Sequence, residues 1–473
     1  MNFVENSMLF SSMTFLWIFL PLLLIIYYLV PRRCKNTVLL VSSIIFYAWG
    51  EPKYILLILL SVSMNYLFGI WLDTVEKHKK AVLVFCLFMN LSILGYFKYF
   101  NFLASVCNKM AGSELLNIRD IALPLGISFY TFQALSYVID VYRGRTKAQK
   151  NYLTLVLYIM LFPQLIAGPI VKYKDVETQF AARSITAEKT AYGIKRFIYG
   201  LSKKVILSNT LAVYADMIMD RNAGDLSTGA AWMGAVLYTL QIYFDFSGYS
   251  DMAIGLGKML GFDFLENFNY PYMADSIQDF WRRWHISLST WFRDYVYIPL
   301  GGNRKGMART CLNILLVFTL TGFWHGAGFN FILWGVYYGI FLVLERLFLG
   351  ELLKKNKLPF LNHLYTLLVV VTGWVLFRQE SLTDAAGYLG RMFGFHAGTC
   401  QVADLIGTKL FLILLAGILL CGFLQKIWKK RGIAFWEKET VKTGEALFLG
   451  ALLFLCVVLL VSGTYNPFIY FRF

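Results

Sequence analysis

Charged side chains are scarce in this 473-residue sequence, where Asp, Glu, Lys and Arg together make up 15% of the chain, against about 25% in an average soluble domain. Hydrophobic residues make up 58%, and the mean hydropathy is +0.58. Apolar runs repeatedly reach the roughly 20 residues that span a bilayer, which excludes an ordinary soluble enzyme. We therefore predict an all-α polytopic membrane protein with a single domain over residues 1–473.

Cysteine clusters and the common catalytic signatures are also missing. The seven cysteines form no CxxC pair, are odd in number and lie mostly inside apolar stretches, so neither a disulfide framework nor a metal site is predicted. The sequence contains no G-x-S-x-G, G-D-S, Walker or H-E-x-x-H motif, which excludes a recognisable soluble hydrolase or ATPase module. No repeat of about 20 to 50 residues is visible, so a transporter built of evident inverted repeats gains no support.

Basic residues are in excess, with 44 Lys and Arg against 28 Asp and Glu and a formal net charge of +16. They lie in short loops between apolar runs, which is typical of the cytosolic loops of membrane proteins, and no nucleic-acid partner is predicted. Binding of membrane lipids with anionic headgroups, or of an anionic cytosolic substrate, is an alternative use of the same charges. Glu5 before the first apolar run and Arg32 to Lys35 after it place the N-terminus outside.

Ten to twelve membrane helices are predicted, and two segments fit no span. One is the amphipathic stretch from Lys195 to Val205, interpreted as an interfacial helix. The other is the polar and aromatic stretch from Phe262 to Gly306, where we expect the chemistry. The predicted spans cover approximately residues 8–30, 37–49, 54–72, 81–106, 125–141, 152–171, 230–260, 311–324, 329–349, 361–377, 405–424 and 446–461.

His325 lies in the apolar run TLTGFWHGAG, with Gly322, Gly326 and Gly328 around it. Ionisable groups inside a membrane are expensive and mark functional candidates, and small neighbours let backbone or substrate approach closely. Burial disfavours the imidazolium form, so that a neutral ring can accept a proton near pH 7. The alternative is a structural histidine that hydrogen-bonds across a helix pair.

His285 belongs to the segment DFWRRWHISLSTWFRDY, which fits a single helix with the histidine on its apolar, aromatic face. One interpretation is an aromatic-belt helix in the headgroup region, whose arginines reach lipid phosphate. The other is a re-entrant helix that points His285 toward His325 and directs its arginines at a phosphorylated substrate.

Polar residues also interrupt the apolar run from Gln241 to Gly261. That much polarity at membrane depth predicts a water-filled or substrate-lined cavity. The residues expected to line it are Asp245, Ser247, Tyr249, Asp251 and, from the later motif, Trp324. Further along, the turn in YVYIPLGGNRKG is either a phosphate-holding turn or an ordinary basic cytosolic turn.

A family resemblance is carried by FDFSGYSDMAIGLGKMLGFDFLENFNYPY, FWRRWHISLSTWFRDYVYIPLGGNR, LTGFWHGAGFNFILWG and the terminal NPFIYFRF, with PLGISFYTFQALSYVIDVYRG and FPQLIAGPI upstream. The chain resembles the membrane-bound O-acyltransferase (MBOAT) family, specifically its bacterial alginate O-acetyltransferase branch. The likeness covers most of the chain.

The resemblance implies an MBOAT fold with a catalytic block over about residues 241–349, and an acyl-CoA-dependent O-acyltransferase whose essential histidine corresponds to His325. His285 matches the preceding polar histidine position of the family. Also implied are a bacterial inner-membrane location, acetyl-CoA as the donor substrate, no tightly bound cofactor, and a separate extracytoplasmic SGNH-type partner. That partner would finish transfer to a polysaccharide such as an alginate-like exopolysaccharide, cellulose or peptidoglycan.

Under this hypothesis, His325 acts as general base on an acceptor hydroxyl. The residues expected to meet the CoA phosphates are Arg282, Arg283, Arg293, Arg304 and Lys305. Three alternatives stay open: D-alanyl transfer to teichoic acid from a carrier-protein thioester, a channel or lipid-linked sugar transporter lined by Asp245, Asp251 and His325, and a catalytically idle scaffold of a polysaccharide-export complex.

Overall fold

Helices build the whole architecture of the computed structural model, which describes residues 8–119, 121–430, 441–463 and 465–469, with backbone only at 429 and 430. Within these ranges there is no strand, and pairing between extended residues is limited to two isolated bridges, Leu226 with Cys400 and Ser227 with Ala397. The predicted all-α fold is confirmed. Glu5 and the last four residues of NPFIYFRF lie outside the described residues.

Several long helices are continuous through short π segments, which are included in the bounds that follow. Leu419–Phe423 is the exception, because Gly422 has φ of 140° and the helix kinks there. The first half of the chain forms Phe15–Phe19 with Leu20–Leu29, Lys35–Gly50, Ile55–Thr74, Lys79–Leu94 with Gly95–Tyr99 and Phe100–Ala111, Ile127–Tyr142, Tyr152–Met160, Phe162–Leu165, Tyr173–Ala181, and Ala187–Ser202 with Lys203–Ser208 and Asn209–Met219. The second half forms Thr228–Met259, Ile277–Arg283, Ile286–Phe292 with Arg293–Tyr297, Gly306–His325, Phe329–Leu344 with Glu345–Leu349 and Gly350–Lys355, Pro359–Arg378, Leu382–Phe393, Val402–Leu405, Thr408–Ile418 with Leu419–Phe423 and Leu424–Lys430, and Thr443–Ser462.

Seven of the described helices are long and apolar enough to cross a membrane. The predicted total of ten to twelve spans also counted shorter helices such as Lys35–Gly50 and Ile127–Tyr142, of 16 residues each. It counted Thr228–Met259 as well, which has 32 residues but carries buried aspartates. The seven candidates are Pro52–Thr74, Lys79–Ala111, Gly306–His325, Phe329–Lys355, Pro359–Arg378, Thr408–Trp428 and Thr443–Ser462.

Two local predictions are wrong. The span predicted over residues 152–171 is interrupted, because Tyr152–Met160 ends before Pro163, whose ring has no N–H with which to continue a helix. The stretch from Lys195 to Val205 does not expose the basic face expected of an interfacial helix, since Lys195 is only 1% exposed.

Two compact units share the described chain. One comprises Met1–Phe197 with Met252–Leu265, and the other comprises Ile198–Asp251 with Glu266–Phe473. The single domain predicted from the sequence stays a prediction.

The first unit contains a core of phenylalanine rings and a buried amide pair. Asn65 and Asn90 exchange two side-chain hydrogen bonds of 2.9 and 3.0 Å, which join the helices Ile55–Thr74 and Lys79–Leu94. The amide groups satisfy each other, so their burial leaves neither unpaired. The rings that pack together belong to Phe10, Phe15, Phe19, Phe46 and Phe162.

The second unit contains a tight helical hairpin, Gly306–His325 followed by Phe329–Leu344. A Cβ atom at Gly322 would come within 2.1 Å of the Phe331 carbonyl oxygen, and one at Gly335 within 2.2 Å of the Phe318 carbonyl oxygen. Glycine at both positions lets the backbones approach this closely. The hairpin turn therefore holds His325 at a fixed point between its two helices.

Gly335→Ala is expected to lower the melting temperature of the detergent-solubilised protein, because the methyl group would meet a backbone carbonyl, an overpacking that typically costs about 1–3 kcal/mol. Gly450→Ala is the matched control, since nothing lies within 4 Å of a Cβ atom there. Thermal unfolding of both variants checks this, and equal shifts would contradict the close approach.

Candidate active site

The segment around His285 forms two short helices, Ile277–Arg283 and Ile286–Phe292. His285 lies between them with φ of 44°, in the left-handed region that non-glycine residues rarely adopt. The single helix predicted through this segment is therefore wrong. Asn267 holds the break, because its backbone carbonyl accepts from the Ile286 N–H at 3.0 Å and its side chain accepts from the Ser287 N–H at 3.2 Å.

The same asparagine orients the His285 ring. Asn267 Oδ1 lies 3.1 Å from His285 Nδ1, while Asn267 Nδ2 donates to Ser250 Oγ at 3.0 Å. An amide oxygen only accepts, so this contact assigns the ring proton to Nδ1 and leaves the lone pair on Nε2, which makes no hydrogen bond within the described residues. Burial lowers the pKa of His285 to about 3, so the ring is a neutral hydrogen-bond acceptor at physiological pH.

Glu345 positions the helix that leads to His285. Its two carboxylate oxygens accept from the backbone N–H groups of Ile277 at 2.6 Å and Gln278 at 2.9 Å. A carboxylate at this place satisfies helix-terminal donors and complements the helix dipole. Tyr365 adds a hydroxyl that donates to the same carboxylate at 3.2 Å.

His325 ends the helix Gly306–His325 and lines a cavity of about 20 Å³. Its ring makes edge-on contacts with three aromatic rings, with centroid distances of 4.8 Å to Trp324, 5.2 Å to Trp334 and 5.3 Å to Phe377. Among the described residues it is the one ionisable side chain in this lining, and the volume has room for about one water molecule. The other lining residues are Ile242, Phe246, Trp284, Trp334, Trp374, Phe377 and Ile469.

The structure brings the two histidines to one aromatic cluster. The Trp324 ring centroid lies 4.8 Å from that of His325 and 6.4 Å from that of His285. Phe246, which lines the His325 cavity, also packs edge-on against His285 at 4.7 Å. The two rings are therefore neighbours through Trp324 and Phe246.

A buried ion pair anchors the end of the described chain beside this cavity. Lys204 Nζ lies 2.5 Å from Asp245 Oδ1, and both side chains are at most 2% exposed. The other carboxylate oxygen accepts from the Ile469 N–H at 2.9 Å, and Lys204 donates to the carbonyl of Pro467. These contacts place Ile469 in the cavity wall. The sequence analysis identified neither Lys204 nor Asn267 as a site residue. For Lys204 a signal was present, because a lysine next to an apolar run is a candidate functional residue in a membrane protein.

The residues predicted to line a substrate cavity have varied surroundings. Asp251 forms an ion pair with Lys203 at 2.6 Å, and the Tyr249 ring lies 4.9 Å from that of Phe468. Within the part of the chain that is described, the lining of the His325 cavity does not include Asp245, Ser247, Tyr249, Asp251 or Trp324. Their role at a substrate cavity stays a prediction.

The basic residues predicted to meet CoA phosphates divide into two groups. Arg283 and Arg293 already pair with neighbouring carboxylates, at 2.8 and 2.9 Å. The others are exposed and form no ion pair with any described residue: Arg282, Arg304 and Lys305. The second group is the better fit for a phosphate, and its contact with CoA stays a prediction.

Comparison with known proteins identifies the family of the chain. The sequence model of the membrane-bound O-acyltransferase family matches residues 149–383, which include both histidines. The chain is 42% identical over 488 aligned residues to a Pseudomonas putida protein named "Probable alginate O-acetylase AlgI", with 98% of this chain and 100% of that protein covered. The chain belongs to the MBOAT family.

Two further MBOAT relatives show the range of names in the family. A Pseudomonas aeruginosa protein, also named "Probable alginate O-acetylase AlgI", is 45% identical over 88% of this chain and 81% of its own length. A Helicobacter pylori protein named "Peptidoglycan O-acetyltransferase" is 36% identical over 82% of this chain and 80% of its own length. The resemblance stated from the motifs is confirmed: this MBOAT chain is an O-acyltransferase and a multi-pass membrane protein.

Lys204→Met is expected to destabilise the protein by about 3–5 kcal/mol, because it leaves the Asp245 carboxylate buried without its partner. Lys203→Met is the control, since its ion pair with Asp251 is more exposed and its loss should cost much less. Adding Asp245→Leu to Lys204→Met should recover part of the loss, as no buried charge is then left uncompensated. Unfolding in detergent measures all three, and equal effects of the two lysine variants would contradict the assignment.

Proposed function

We propose that this MBOAT protein moves an acetyl group from cytosolic acetyl-CoA across the membrane to a hydroxyl acceptor, for O-acetylation of an extracellular or cell-envelope polysaccharide, with His325 as general base. The observation that carries the proposal is a histidine that is the one ionisable group among the described residues of an aromatic cavity. The names of the relatives, which refer to alginate and peptidoglycan, support the polymer class.

The size of the cavity favours a short acyl group. A volume of about 20 Å³ has room for about one water-sized group, so it admits at most the methyl end of a short acyl group and no fatty chain. The aromatic lining excludes bulk water, which limits hydrolysis of the thioester. The small volume therefore favours a donor with a short acyl chain, and the dry lining favours acyl transfer over hydrolysis.

In the proposed reaction, His325 takes the proton of the acceptor hydroxyl as its oxygen attacks the thioester carbonyl carbon. The new C–O ester bond forms, the C–S bond breaks, and the proton passes to the leaving thiolate to give free CoA thiol. General-base assistance of this kind is typically worth about 10² to 10⁴ in rate. His285, neutral with its lone pair on Nε2, supplies a hydrogen-bond acceptor in the same aromatic cluster.

The distribution of charge supports a direction for transfer. The end of the hairpin at Gly306 is flanked by Arg304, Lys305 and Arg309, and the following helix ends near Lys354, Lys355 and Lys357. The opposite connection, over residues 379–407, has one basic residue, Arg391, against Glu380, Asp384 and Asp404. By the positive-inside rule the first end faces the cytosol. Arg282, Arg304 and Lys305 are then proposed for the CoA phosphates.

Acetyl delivered outside would need a second protein to reach a polymer. The chain has no G-D-S motif, which supports an extracytoplasmic SGNH-type partner as the final transferase. The proposed setting is the bacterial inner membrane with the N-terminus outside, as the charges around the first span indicate.

Purified protein in proteoliposomes with radiolabelled acetyl-CoA tests the proposal. His325→Ala is expected to lower thioester consumption by about 10² to 10⁴, while His396→Ala, at an exposed histidine, should leave it unchanged. Retained consumption in His325→Ala would overturn the base assignment. If the wild type consumes no acetyl-CoA even with its partner supplied, a carrier-protein thioester or a transport function replaces this proposal.

A further inference from the structure

A second cavity, of about 30 Å³, meets the His325 cavity at Ile469. It is more polar than the aromatic cavity, and the reaction described above makes no use of it. Its lining consists of Asp216, Tyr238, Gln241, Arg378, Pro467, Phe468 and Ile469.

Two buried polar atoms in this lining lack hydrogen bonds. Gln241 is 3% exposed, and its Oε1 makes no hydrogen bond within the described ranges. The Arg378 side chain is 7% exposed, and its Nε likewise has no acceptor among the described residues. Leaving such groups unsatisfied costs free energy. One atom accepts and the other donates, which matches a hydroxyl group, because a hydroxyl does both.

The two carboxylates paired with Arg378 favour a neutral occupant over an anion. Arg378 Nη2 lies 2.8 Å from an Asp216 oxygen and 2.6 Å from an Asp220 oxygen, so one guanidinium faces two carboxylates. A further negative group would lie close to both carboxylates, which would repel it. The volume has room for about two water-sized groups, which suits one short hydroxylated arm and not a whole sugar ring.

The second cavity lies near the connection 379–407, which the distribution of basic residues assigns to the outside of the membrane. Arg378 is the last residue of Pro359–Arg378 and precedes the poorly basic connection 379–407. The Asp220 side chain is 57% exposed, and Tyr465, which donates to Asp216, is also exposed. These residues mark a rim through which an external group can enter.

We infer that the cavity of Gln241 and Arg378 is the acceptor subsite of this acyltransferase. It holds a neutral, hydroxylated arm of the acceptor and directs it past Ile469 toward His325. This inference rests on the proposed function for the meaning of the site, but the binding itself is independent of any acetyl donor.

Saturation-transfer-difference NMR on the detergent-solubilised wild type tests the binding with three matched probes. Methyl β-glucoside carries a hydroxymethyl arm, methyl β-xyloside lacks it, and methyl β-glucuronide carries a carboxylate in its place. We expect the glucoside to give the strongest signal and the glucuronide the weakest, because its carboxylate meets Asp216 and Asp220. No glucoside signal, or equal signals from all three probes, overturns the subsite.

Gln241→Leu is expected to weaken the glucoside signal about tenfold, since the hydrogen bond to Oε1 is lost. Gln379→Leu makes the same change at another buried glutamine that does not line the cavity, and it should keep the wild-type signal. Identical behaviour of the two variants contradicts the inference. Because the probe series works on the wild type, the test stands even if Gln241→Leu fails to fold.

Acetyl transfer to methyl β-glucoside in proteoliposomes separates this inference from the proposed function. Gln241→Leu should raise the KM for the glucoside, whereas Gln379→Leu should keep both that KM and the hydrolysis of acetyl-CoA without acceptor at their wild-type values. If the wild type is active and Gln241→Leu has an unchanged KM for the glucoside, the subsite is contradicted and the proposed function stands. Intact glucoside binding without any consumption of acetyl-CoA removes the function and keeps the subsite.

Discussion

The buried ion pair between Lys204 and Asp245 is the interaction on which the site depends. Taking two charges out of water costs several kcal/mol for each ion, and here the cost is offset by a 2.5 Å contact and by bonds to Pro467 and Ile469. The charges are thus satisfied partly by backbone from the end of the described chain. The ion pair costs free energy of desolvation, but it fixes the position of this segment. Residues of the segment line both cavities.

Around this anchor, the two cavities differ in chemistry as the two halves of an acyl transfer require. The cavity with His325 is aromatic and closed, which suits a thioester that water must not reach. The cavity with Gln241 and Arg378 has an acceptor atom and a donor atom that make no hydrogen bond within the described residues, which suits a hydroxyl group. Ile469 lines both cavities, so in the proposed reaction this residue would lie between the donor and the acceptor.

The features that follow from local sequence were predictable, and those that depend on distant residues were not. Composition and apolar runs indicated a helical membrane protein, and the glycines around His325 indicated a close approach. A helical wheel assumes an unbroken helix, so it could not place the left-handed turn at His285, which depends on Asn267. The contact of Lys204 with Pro467 joins residues 263 positions apart, and that of Arg378 with Asp216 joins residues 162 apart. Pairings at such separations leave no pattern in a single sequence.

The left-handed backbone at His285 implies a conflict between two demands on one position. A residue with a Cβ atom pays roughly 1–2 kcal/mol for this conformation, and glycine would adopt it without strain. Improvement of stability alone would therefore drive position 285 toward glycine and remove the imidazole from the aromatic cluster. Engineering this protein for heat resistance by relieving this backbone strain would therefore stabilise the fold and remove the His285 imidazole from the site.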